Sequence, residues 1–173
     1  MASPLTVRRN NYIKNPKRSD ILTPPGVAAF VASLFPEAKS VFDPCVGQGA
    51  LLRPFLGRAK VRGVDIKTGT DFLKMTEPIN EDLVVCNPPF NLGIGKKLGS
   101  ELFLEHLIKL GAKTVVLFVP MGFRVNQRKN SKRWRWLKSL PLPLSSIISL
   151  PLDIFNNVLF HSEIIIFNAP QLK

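Results

Sequence analysis

The chain has 173 residues, 45% of them hydrophobic, and carries 24 Lys+Arg against 12 Asp+Glu, a net charge of +12. That length holds one domain with a substantial core and is short for two, and that apolar content argues against general disorder. The excess of cations points to a polyanionic partner, because clustered Lys and Arg gain affinity by releasing phosphate counterions.

Residues 1–22 are polar and basic (Arg8, Arg9, Lys14, Lys17, Arg18) and read as an arm. Thr23-Pro24-Pro25 then opens a helix, with Thr at the cap, proline in the first turn, and Val27, Phe30, Val31 and Leu34 on one face. Pro36 closes it. A short strand over 41–43 leads through a glycine loop into a helix over 50–56, and a second strand follows at 61–65. The run 83–86 is apolar throughout, as in strands buried on both faces of a parallel sheet. A helix over 97–110 carries Leu104, Leu107 and Ile108 on one face and stops at Gly111. Residues 114–119 form a fourth apolar strand, and 146–150 and 163–167 two late strands that pair antiparallel at one edge. This alternation predicts an α/β fold with a mostly parallel, doubly wound sheet ending in an antiparallel strand pair.

One stretch departs from the alternation. Residues 122–140 hold seven cations (Arg124, Arg128, Lys129, Lys132, Arg133, Arg135, Lys138), two tryptophans (Trp134, Trp136) and no acid. It reads as the longest irregular insertion, placed just past a strand end. No run approaches the ~18 consecutive apolar residues of a membrane span, and the first residues lack the apolar stretch of a secretory leader. Cys45 and Cys86 form no C-x-x-C or Cys/His pattern and read as small buried residues, not as a disulfide or a metal site. No membrane contact and a soluble, cytoplasmic protein are therefore expected.

In a doubly wound sheet, ligands bind outside the carboxyl ends of the strands, and four motifs converge there. Asp43-Pro44-Cys45-Val46-Gly47-Gln48-Gly49 makes a turn whose glycines let a ligand approach the backbone. It has neither the G-x-x-x-x-G-K-[ST] of a P-loop nor the third glycine of a dinucleotide fingerprint. Asp65, followed by Ile66, ends the second strand, where two carboxylate oxygens match two ribose hydroxyls. Asp71-Phe72 offers an acceptor for an adenine amino group and a ring to pack on the base. Asn87-Pro88-Pro89-Phe90 follows the buried strand directly and is the sharpest of the four. An aryl amine is a poor nucleophile because its lone pair is delocalised into the ring. Two acceptors aimed at its hydrogens, the Asn87 side-chain oxygen and the Pro88 carbonyl, favour a pyramidal nitrogen. Proline stiffens the turn, and Phe90 offers a face for the base.

With these motifs in this order, the chain resembles the S-adenosylmethionine-dependent amino-methyltransferases that carry NPPF, specifically the catalytic domain of the gamma class of DNA adenine-N6 methyltransferases. The resemblance runs from Thr23-Pro24-Pro25 through DPCVGQG, GVDI, TDF and NPPF to the segment 151–168. It implies a Rossmann-like methyltransferase fold over residues 23–173, S-adenosylmethionine as cofactor, no metal, and adenine N6 in nucleic acid as the target, with DNA favoured over RNA. It places Thr23 at the cofactor's amino-acid end, and Asp43, Pro44, Cys45, Gly47 and Gly49 along its methionine moiety. Asp65 and Ile66 would hold the ribose, Asp71 and Phe72 the adenine, and Asn87, at the border of cofactor and target, would act with Pro88, Pro89 and Phe90 on the amine. Phe155, in Asp153-Ile154-Phe155-Asn156-Asn157, takes the place of a second aromatic against a flipped base, with Phe160 as the alternative and a plain core ring as a third reading.

DNA-modifying members commonly carry a separate target-recognition domain, and none is expected here. Sequence specificity is then expected from the 122–140 insertion (Arg124, Lys132, Arg133, Trp134, Arg135, Trp136), from the arm, from a partner subunit, or not at all. Two rival functions are a protein glutamine N5-methyltransferase and a non-catalytic nucleic-acid-binding subunit of the same fold. The first usually has Tyr at the position of Phe90. The second would be expected to have lost the glycine loop or NPPF, and both are intact. His106 and His161 have no carboxylate or Cys placed to make a metal or nucleophile site with them.

Overall fold

The apolar runs pair into one sheet of six strands: β1 (Ser40–Asp43), β2 (Lys60–Gly63), β3 (Leu83–Cys86), β4 (Thr114–Pro120), β5 (Leu144–Ser149) and β6 (Ser162–Phe167). Their spatial order is β2-β1-β3-β4-β6-β5. The structure, a computed structural model, describes residues 21–95, 97–125, 128–155 and 159–170. Most of the expected basic arm, and Asn156 and Asn157, lie outside the described residues. β1, β2, β3 and β4 pair in parallel, and β6 inserts antiparallel between β4 and β5. The expected antiparallel pair is therefore present, with its second strand inside the sheet and its first at the edge.

Burial on both faces explains the unbroken apolar runs of β3 and β4. Side chains alternate across the pleat, so Val85, Val116, Phe118, Ile164 and Ile166 share one core layer with α1 (Pro25–Ser33). Val84, Cys86, Val115, Leu117 and Ile165 share the opposite layer with α2 (Gly99–Lys109).

Three local expectations are corrected. α1 buries Val27, Ala28, Val31 and Ala32 and leaves Phe30 44% exposed, so its core stripe is turned toward the two alanines. Its cap position is Pro24, whose ring carries no acceptor, and the Thr23 hydroxyl one residue earlier accepts from Asn87 Nδ2 instead. The helix over 50–56 shrinks to turns and a 3-10 segment at Arg53–Phe55. Pro54 lacks the N–H a helix interior needs, and Gly57 leaves the helix at φ +80°. Arg58 follows and donates to the Ala32, Phe35 and Pro36 carbonyls at 2.9, 3.1 and 3.1 Å, satisfying acceptors at the end of α1. The 122–140 stretch is not irregular throughout. It contains a 3-10 turn at Met121–Phe123 and α3 (Lys132–Lys138), capped by Ser131 Oγ, which accepts from Trp134 N at 3.1 Å.

α2 begins two residues later than the periodicity suggests, at a glycine the packing demands. A Cβ on Gly99 would lie 1.8 Å from the Pro89 carbonyl oxygen, and its N–H donates to the Phe90 carbonyl at 2.9 Å. The helix is thus locked to the NPPF turn. β1 lies between β2 and β3, so the chain runs from β1 to β2 on one side and then crosses over to β3 on the other, the kind of strand-order reversal at which a crevice opens. Among the described residues no helix is long and apolar enough to cross a membrane.

Candidate functional site

A cavity of about 180 Å³ opens at the carboxyl ends of β1, β2 and β3. All four sequence motifs contribute to its wall: residues 43–48, residues 65–67, Asp71 with Phe72, and Asn87 with Pro89; Thr23 joins them. Among the wall residues that sequence reasoning missed are Ile21 and Phe103. Phe103 was within reach, since it faces inward one turn into the helix that follows NPPF. Ile21 acts through its carbonyl, for which side-chain patterns carry no signal.

The glycine loop is fastened to the end of β2. Val64 N donates to the Asp43 carbonyl at 3.0 Å, and Val46 N to the Val64 carbonyl at 2.9 Å. Gly47 N donates to Asp65 Oδ2 at 2.9 Å while Lys67 N donates to Asp65 Oδ1 at 2.9 Å. Each carboxylate oxygen keeps a lone pair free for a further donor. Gly47 and Gly49 have φ of +49° and +78°, a region that favours glycine, and a Cβ on Gly49 would meet nothing within 4 Å. The space before the loop is open.

Asp43 ends β1 with 2% exposure, its Oδ1 accepting from Cys45 N at 3.0 Å. Burial pushes its carboxyl up to about 7, against the lowering effect of the Cys45 hydrogen bonds and with a small further rise from the Asp65 charge. Cys45 and Cys86 are free cysteines with their sulfurs 3.6 Å apart. The Cys86 contact and burial raise the Cys45 thiol, and burial raises Cys86, so both stay protonated.

Asp71 Oδ1 accepts from Leu73 N at 3.1 Å, and Oδ2 lies 3.3 Å from Lys74 Nζ. Phe72 is 2% exposed and packs against Phe42, Phe103 and the edge of His106. It supplies the cavity's apolar wall from within the core. His106 is thereby a packing residue, its Nε2 2.9 Å from the Met75 carbonyl.

Asn87 stands at the first position after β3. Its Nδ2 donates to Thr23 Oγ1 at 3.0 Å and to the Ile21 carbonyl at 3.5 Å. A carbonyl only accepts, so the Ile21 contact identifies the amide nitrogen, and Oδ1 accepts no hydrogen bond among the described residues. Pro88 is buried behind the turn, and Phe90, 8% exposed, meets Phe160 edge-on at 5.5 Å. Phe155, the residue expected against the target, is instead a core side chain. It is 1% exposed, packs on Phe118, and stacks on Phe160 at 5.4 Å and 13°. The partly exposed ring beside Phe90 is Phe160.

In the basic segment, Arg124 pairs with Glu163 at 2.7 Å and Arg133 with Glu101 at 2.9 Å. Trp136 meets Phe123 edge-on and packs into the core layer, and Lys138 Nζ lies 5.4 Å from the Trp134 ring. Both tryptophans are half-buried. Lys132 and Arg135 are exposed.

No family model and no curated protein matches the sequence. Solved structures do. A modification subunit of a putative type I restriction enzyme from Vibrio vulnificus superposes with a TM-score of 0.67 at 17% identity, over 95% of this chain and 48% of that one. A putative class I S-adenosylmethionine-dependent methyltransferase from Listeria monocytogenes gives 0.65 at 19% identity, over 95% and 68%. The chain has the Rossmann-like methyltransferase fold. A putative RNA methyltransferase from Pyrococcus horikoshii has it too, at a TM-score of 0.50 and 17% identity, over 83% of this chain and 82% of that one. The chain spans about half the length of the type I modification subunit, 48% of it. This methyltransferase fold puts the cavity at its usual place, outside the carboxyl ends of the parallel strands.

Proposed function

We propose that this protein is an S-adenosylmethionine-dependent methyltransferase acting on the N6 amine of adenine in DNA. The observation that carries the reading is the Asn87 amide, whose nitrogen is bound by Thr23 and Ile21 and whose oxygen accepts no hydrogen bond among the described residues. That oxygen, with the Pro88 carbonyl, is an acceptor pair for the two hydrogens of an exocyclic amine. Accepting both favours a pyramidal nitrogen and frees its lone pair. Because the amide is oriented before substrate arrives, little reorganisation is left for the reaction itself.

The cavity fits the cofactor by its donor set. The open glycine loop admits a ligand against the backbone, Asp65 retains acceptor capacity for two vicinal hydroxyls, and Phe72 and Phe103 form an apolar wall for a base. The bound cofactor would supply an electrophilic sulfonium methyl. Phe160, partly exposed and edge-on to the buried Phe90, offers the ring on which a flipped base would rest, and extruding that base from a duplex costs a few kcal/mol. DNA is favoured by the type I modification subunits among the structural neighbours, and a partner subunit supplying recognition agrees with that likeness.

The test is incubation with methyl-labelled S-adenosylmethionine and, separately, DNA, structured RNA and total protein, followed by digestion to nucleosides or amino acids. Label in N6-methyladenine from DNA is the expected result. Label in N6-methyladenine from RNA alone corrects the substrate, and label in glutamine overturns the reading.

A further inference from the structure

The cations of the basic segment divide into two sets. Glu101 and Glu163 keep only 10% and 4% side-chain exposure, and each has an arginine against it, Arg133 and Arg124. A buried carboxylate left alone is costly, so these two arginines are committed internally and are not available to an outside anion. Arg133 also ties α3 to the target turn. Glu101 sits two residues after Gly99, whose N–H is bound to the Phe90 carbonyl at 2.9 Å. On the other side of α3, Lys132, Arg135 and Lys138 are exposed and without a carboxylate partner among the described residues. At spacing i, i+3, i+6 they form one ridge, about 9 Å long at 1.5 Å per residue. A DNA strand presents a phosphate every ~3.4 Å of helix axis, so the ridge spans enough length to meet several.

We infer that the Lys132–Arg135–Lys138 ridge holds backbone phosphates of the duplex flanking the target base, with Arg133 as the strut that keeps it in register with NPPF. This rests on the proposed reading of the substrate as DNA. The experiment measures affinity of the full chain for a short duplex against salt concentration, with cofactor affinity followed by calorimetry. Lys132→Gln/Arg135→Gln/Lys138→Gln should flatten the log–log salt slope by about 0.9 for each phosphate no longer neutralised, with cofactor affinity unchanged. The charge-keeping Lys132→Arg/Arg135→Lys/Lys138→Arg should restore the slope. If the triple Gln variant does not fold, Arg135→Gln alone should flatten the slope by about 0.9. A wild-type slope in the Gln variants overturns the ridge and leaves the DNA reading standing. A wild-type protein with no salt-dependent affinity for DNA overturns the DNA reading itself.

Discussion

Asp65 Oδ2 accepts the Gly47 N–H at 2.9 Å across the mouth of the cavity, so the acid proposed to hold a ribose also shapes the loop proposed to hold the methionine moiety. The two halves of the proposed cofactor site are thus held together by one hydrogen bond. Asp65→Ala should therefore weaken cofactor binding by about 1–3 kcal/mol, the cost of losing hydrogen bonds to a charged group together with the loop's fastening. Calorimetric titration measures it, and an unchanged dissociation constant would remove Asp65 from the site.

Asn87→Ala should lower kcat by about 10²–10³ with cofactor affinity nearly intact, since the missing acceptor serves the target amine. Thr23→Val keeps the size of the side chain and removes the acceptor that orients the amide, at 3.0 Å from Nδ2. It should lower kcat by less than Asn87→Ala. Single-turnover rates of the two variants at saturating cofactor decide it, and a Thr23→Val enzyme with wild-type turnover would remove the orienting role.

Asp43 gives a pH dependence with a defined sign. Its carboxyl is held at about 7 against an ordinary 3.8, chiefly by burial. Below about 7 it is neutral, and above it is an anion that attracts a sulfonium cation, so cofactor affinity should rise from pH 6 to pH 8. Between the unfolded value and the folded one, the folded state holds a proton that the unfolded chain has released. Stability from this group thus falls as pH climbs from about 4 to 7, by up to about 1.4 kcal/mol per pH unit. Asp43→Asn should flatten both trends. Denaturant midpoints and cofactor titrations across that range provide the measurement.

Phe155 and Phe160 should part company. Phe155→Ala empties a core site and should cost about 3–5 kcal/mol of folding stability. Phe160→Ala should cost less stability and raise the KM for the nucleic-acid substrate, because its ring is partly exposed beside the NPPF turn, edge-on to Phe90. Equal melting temperatures for the two variants would contradict the difference in burial.

Much of this protein was legible in its residues. β3 and β4 announced themselves as unbroken apolar runs because both of their faces are covered. DPCVGQG and NPPF were readable because a close backbone approach, and an amide followed by rigid prolines, need those residue types in that local order. Element ends were less legible. The Thr23-Pro24-Pro25 pattern suggested a capped helix, yet the hydroxyl bonds Asn87, a partner 64 residues away in sequence.

What only the tertiary structure decided were the pairings between distant segments. Local periodicity says that 163–167 is a strand, but its place between β4 and β5 depends on which edges remain to be paired once the parallel strands have assembled. A phenylalanine reads the same whether it lies in the core like Phe155 or stays partly exposed like Phe160. Arg124 and Arg133 look like Lys132 and Arg135 in the sequence. The fold sets them apart by burying Glu163 and Glu101, since a carboxylate withdrawn from water must find its cation inside the molecule.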